Sequence, residues 1–146
     1  MDFITRVFNA ITQLHPLHPI TVHFPIGLTA AAALFVLLAL ITRKKALEQA
    51  AYFNIIFAAA SSVLAIATGM RSNLINYDGG APNALVKVVL GVLLMLILLA
   101  AILARRRNPD LLWSKQGGAL YAAAYFASFA IALTLGFLGG VILYGF

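Results

Sequence analysis

The chain has no cysteine. That excludes disulfides, thiolate metal sites, cysteine-held iron–sulfur clusters and haem attached through Cys-x-x-Cys-His. Charge is also scarce. Only 10 % of the 146 residues are charged, with four acidic residues against ten basic ones, where a soluble domain carries about a quarter. Four carboxylates in the whole chain offer no pair for acid–base work. There is no P-loop, no Gly-x-Ser-x-Gly and no His-Glu-x-x-His. No catalytic residues are assigned, and no catalytic activity of the chain's own is expected.

What the chain has instead is apolar surface. Hydrophobic residues make up 63 % of it and the mean hydropathy is +1.00. A soluble fold of this size has too little interior to hide that surface, so the remainder faces lipid. Four apolar stretches predict membrane spans: Pro19–Thr42, Gln49–Met70, Ala84–Ala104 and Gly118–Leu143. Each has about 20 residues or more, which at 1.5 Å per residue crosses a hydrocarbon core of about 30 Å. No charge lies near the middle of any span, and Lys87 stands near the start of the third, where it can snorkel to the interface. The near absence of ionisable groups within the spans argues against a transporter or proton channel. The expected fold is all-α: an integral membrane four-helix up-down bundle in residues 15–146, preceded by an N-terminal amphipathic interfacial helix in residues 1–14.

The distribution of charge predicts orientation. Arg43, Lys44 and Lys45 follow the first span, and Arg105, Arg106, Arg107 and Lys115 follow the third, so seven of the ten basic residues share one side. The positive-inside rule puts that side in the cytoplasm, with both termini and the loop Arg71–Asn83 facing outward. A net charge of +6 explained by topology gives no reason to expect nucleic acid as a partner. Ahead of the first span, Phe3, Ile4, Val7, Phe8, Ile11 and Leu14 recur at helical spacing, with Asp2 as the cap. Such a helix is too short to span and lies in the interface or packs on a partner subunit.

Small residues mark expected helix contacts. Ala124, Ser128, Ala132, Gly136 and Gly140 form a stripe at every fourth position of the fourth span; Ser61, Ala65 and Gly69 do the same in the second. In lipid, helices associate by close backbone approach, so these faces should meet each other, a second copy or another membrane subunit. A short echo links Ala50-Ala51-Tyr52-Phe53 with Ala123-Ala124-Tyr125-Phe126.

All three histidines, His15, His18 and His23, fall in the stretch His15-Pro16-Leu17-His18-Pro19-Ile20-Thr21-Val22-His23-Phe24-Pro25. His15 and His18 precede prolines and are expected in extended or turning backbone. Pro19 suits a first helical turn, which puts His23 about one turn inside span one. Pro25 deprives the Thr21 carbonyl of its partner, predicting a kink or local opening beside His23. The outward side also collects Met70, Arg71, Tyr77, Asp78 and Lys87. Neutral imidazole ligates metals, so haem b on His23, with Met70, His18 or His15 as further ligands, is one expectation. Copper or zinc on His15, His18 and His23, with Asp78 as a fourth ligand, is another. A bis-histidine haem takes ligands from opposite faces, normally on two helices, whereas these histidines share one segment. The rival expectation is a cofactor-free chain whose histidines cap a helix and bind interfacial water and headgroups.

The pattern from His15 to Pro25, with Thr68-Gly69 ending span two and Leu138-Gly139-Gly140 and Tyr144 ending the last, resembles an uncharacterised bacterial family of four-span membrane proteins. Its members share a His-Pro-x-His-Pro…His-Phe-Pro opening. The resemblance implies membrane electron transfer alongside cytochromes or Rieske-type proteins. It also implies a histidine shortly before a Leu-Gly pair in span three; here Leu90-Gly91 is preceded by Lys87. Three functions remain open: a haem- or metal-binding subunit of a respiratory or photosynthetic electron-transfer system, a cofactor-free accessory transmembrane subunit of a larger complex and, last of the three, a small enzyme or transporter.

Overall fold

The computed structural model describes residues 2–9 and 17–144. The described residues are helical and contain no strand. The elements are α1 (Phe3–Asn9), α2 (Leu17–Thr42), α3 (Lys45–Tyr77), α4 (Ala84–Arg107) and α5 (Gly118–Tyr144), with a 3-10 turn at Leu111–Trp113. Four of these helices are long and apolar enough to cross a membrane. They form an up-down bundle in which α2 packs on α3, α3 on α4, α4 on α5, and α5 returns to α2.

Several boundaries differ from the sequence expectations. Helix α2 starts at Leu17, so His18 is helical rather than extended or turning. Pro19 is the third residue of that helix, where a backbone N–H has no intrahelical partner to lose. The helix also runs through Pro25 without a break. Helix α3 has 33 residues, longer than a bilayer requires. It absorbs Lys45–Glu48 at one end and Arg71–Tyr77 at the other, both expected in loops. Its end is made by Asn73, whose carbonyl accepts the Gly79 N–H at 3.0 Å and whose side-chain amide bonds the Gly79 carbonyl and the Ala81 N–H at 3.1 and 2.9 Å. Asp78 and Gly79 supply the left-handed conformations that turn the chain. The N-terminal helix is described over Phe3–Asn9, and its apolar Phe3, Ile4 and Val7 are exposed. The expected continuation through Leu14 lies outside the described residues.

The core is built from small residues at alternating three- and four-residue steps. On α2 the line is Pro25, Thr29, Ala32, Val36 and Ala39; on α3 it is Ala51, Ile55, Ala58, Ser62 and Ala65. This is coiled-coil spacing, with side chains small enough for the backbones to approach closely. Two buried hydroxyls are satisfied within their own helices: Thr29 Oγ1 donates to the Pro25 carbonyl at 2.7 Å, and Ser62 Oγ to the Ala58 carbonyl at 2.8 Å. On α5 the buried line runs through Tyr121, Tyr125, Ser128 and Ala132, stepping by four and three, not by four throughout. Of the expected stripe, Ser128 and Ala132 are buried and a Cβ on Gly136 would come within 2.8 Å of Ile26 Cδ1 on α2, whereas one on Gly140 meets nothing of this chain within 4 Å. A repeat of four drifts around a helix of 3.6 residues per turn, so such a stripe leaves the interface within a few turns. The outer surface is apolar, with Leu34, Phe57, Leu64, Leu85, Leu96 and Phe137 exposed.

Candidate functional site

Polar side chains gather at the two ends of the bundle. At the end that holds the histidines, the His18 ring lies between α2 and α3. Its Nδ1 is 3.3 Å from Thr68 Oγ1, and the Thr68 and Thr21 hydroxyls are 2.8 Å apart. Thr21 Oγ1 also donates to the His18 carbonyl at 2.9 Å. Gly69 makes this possible, because a Cβ there would stand 2.9 Å from His18 Cε1. The Thr68-Gly69 pair is thus the seat of an imidazole: the glycine clears the ring's volume and the threonine meets its nitrogen.

His23 has the opposite disposition. It is exposed, and its Nδ1 bonds the Pro19 carbonyl one turn back in its own helix. An Nδ1–H donated to a carbonyl leaves Nε2 as the free, lone-pair nitrogen, the arrangement found in most metal-ligating histidines. Met70 is exposed on α3, and Asp78 is exposed in the turn after it. His15 lies outside the described residues. Among the described residues, no three His, Cys, Asp or Glu side chains gather where they could hold a metal ion.

The seam between α2 and α3 leaves no space for a haem. It is closed by alanines, Val36 and Ile55, and at its histidine end the His18 ring touches Gly69.

The opposite end carries a buried cluster that sequence reasoning passed over. Glu48 is 3 % exposed. Arg105 grips its carboxylate with two hydrogen bonds of 3.1 Å, from Nε to Oε1 and from Nη2 to Oε2. Tyr121 donates to Oε1 at 3.2 Å, and the Tyr121 and Tyr125 hydroxyls are 2.6 Å apart. An ionised carboxylate only accepts, so Tyr121 spends its proton on Glu48 and Tyr125 donates to Tyr121. The Arg105 guanidinium also lies 4.6 Å from the centroid of the Tyr52 ring. Nearby, Lys45 pairs with Asp110 at 2.6 Å in the open, and Arg43 sits 5.6 Å above the Trp113 ring. Helices α3, α4 and α5 are therefore tied together at the basic end. One signal was present in the sequence: Tyr52 and Tyr125, the tyrosines of the short echo, both belong to this cluster, Tyr52 beside Arg105 and Tyr125 against Tyr121.

Residues 14–146 match the family described as "Predicted membrane protein (DUF2231)", and the chain belongs to that family. It is a membrane protein with a four-helix transmembrane architecture. No curated protein and no solved structure matches the chain.

Proposed function

We propose that this protein is a membrane subunit of a respiratory or photosynthetic electron-transfer system, working in the bacterial inner membrane. Its basic end is cytoplasmic and its histidine end faces outward. His23 is the residue it offers to a cofactor, haem b in the first instance and copper or zinc in the second. One observation carries this reading: the His23 ring is exposed on α2 with Nδ1 held by the Pro19 carbonyl, so that Nε2 is presented away from the bundle. In this reading the group is shared with a second copy or another subunit, since among the described residues His23 and Asp78 belong to no group of three His, Cys, Asp or Glu that could hold a metal ion. Bound haem would supply one-electron transfer; the chain's part is to orient the imidazole and keep its tautomer.

A cofactor-free accessory subunit is the second reading. It is favoured by His18, which is used for packing against Thr68 and Gly69 rather than held ready for a ligand. The absorption spectrum separates the two. Protein expressed with haem precursor and trace metals should show a Soret band, or a stoichiometric metal. His23→Ala should abolish it while the protein stays folded in the membrane. Wild-type protein with neither signal would establish the accessory reading.

A further inference from the structure

Beyond that reading, the α4–α5 seam holds a groove of about 510 Å³ that reaches the basic end of the bundle. Its floor is alanine: Ala100, Ala101 and Ala104 on α4 face Ala123, Ala124 and Ala127 on α5. From Ile97 to Ala104 it follows α4 for about 10 Å at 1.5 Å per residue. The wall is apolar throughout. Tyr121 lines it, but its hydroxyl is turned inward to Glu48 and Tyr125. No polar group is therefore offered to a ligand inside the groove, and its shape and chemistry suit a hydrocarbon chain.

The mouth is different. Arg107 is one turn beyond Ala104, at the three-residue step that continues the groove-lining face of α4, and Lys115 stands two residues before the lining residue Gly117. Both are exposed. The acidic residues at this end are already engaged, Glu48 by Arg105 and Asp110 by Lys45. Among the described residues Arg107 and Lys115 make no ion pair. An apolar trough ending under two unneutralised cations matches one occupant, an anionic phospholipid with an acyl chain on the alanines and its phosphate at the mouth.

We propose that the α4–α5 groove is a binding site for one anionic phospholipid, its phosphate held by Arg107 and Lys115. Native mass spectrometry of the detergent-purified protein, with phosphatidylglycerol or phosphatidylcholine added, reads this directly. One phosphatidylglycerol per chain should be retained in preference to phosphatidylcholine. Arg107→Gln combined with Lys115→Gln should lower that retention by about fivefold for each charge removed. Both side chains are on the surface, so the fold is not at stake. Ala100→Leu with Ala123→Leu, at two exposed positions, should fill the groove and expel either lipid. Equal retention of the two lipids would overturn the proposal, as would retention indifferent to the charge variant. Efficient disulfide cross-linking between copies carrying Ala123→Cys would also overturn it, because a second copy would then occupy the groove.

Discussion

Arg105 and Glu48 face each other side-on, guanidinium edge to carboxylate, with two hydrogen bonds of 3.1 Å. The pair joins α4 to α3 where both helices approach the basic end, and Tyr121 brings α5 to the same carboxylate. A buried pair gains little over a well-packed apolar one, but removing one member leaves an uncompensated charge. Arg105→Ala should therefore destabilise the bundle by about 3–5 kcal/mol. Arg105→Lys should recover only part of this, since a point charge cannot make the side-on pair. Replacing both residues with Gln and Met should cost less than Arg105→Ala alone. Thermal unfolding in detergent, followed by helical circular dichroism, measures all three. An Arg105→Ala protein as stable as wild type would show that the cluster contributes nothing to holding the helices.

Gly69 and His18 make a second test. A side chain at Gly69 must displace an imidazole whose nitrogen is engaged by Thr68. Gly69→Leu should cost about 1–3 kcal/mol for overpacking. His18→Ala vacates the space, so the double variant should be more stable than the sum of the two single changes predicts. Strict additivity in a double-mutant cycle would mean that the two residues do not touch.

On α5 the two glycines should separate. Gly136 faces Ile26, whereas Gly140 has open space around it. Gly136→Leu should lose about 1–3 kcal/mol, and Gly136→Ala less, because Ile26 Cδ1 is the end of a flexible side chain. Gly140→Leu should be close to neutral in the isolated protein. If Gly140→Leu nevertheless disrupts a complex recovered from membranes, that turn of α5 is an intermolecular contact.

Orientation can be read by labelling, and the cysteine-free chain is a ready background. A cysteine replacing Asn76, exposed at the histidine end of α3, should react with an impermeant thiol reagent in intact cells. One replacing Asn108, at the basic end, should not. The reverse pattern would place the histidines in the cytoplasm and remove the support from an outward-side electron-transfer role.

The amino-acid sequence by itself determined the class of the fold. Four apolar segments of bilayer length leave the chain no solution but spanning helices, because every backbone polar group in lipid must be satisfied within its own segment. The common end of the basic residues was legible for the same reason, since short turns force adjacent spans to alternate direction. Which faces of those spans meet was decided only by the tertiary structure. In lipid both faces of a helix are apolar, so hydrophobic periodicity, the strongest pattern in a soluble chain, carries little information; Ala124 and Ala132 look alike, yet one lines an open groove and the other is buried. The histidines show the same limit. Their proximity in sequence said that they share an end, but a helix turns 100° per residue. Starting α2 at Leu17 sends His18 into the α2–α3 seam and leaves His23 exposed. The Glu48–Arg105 pair spans 57 residues, and nothing local marks its members as partners. Only the bundle's closure brings a lone carboxylate, an arginine and two tyrosines close enough to satisfy one another.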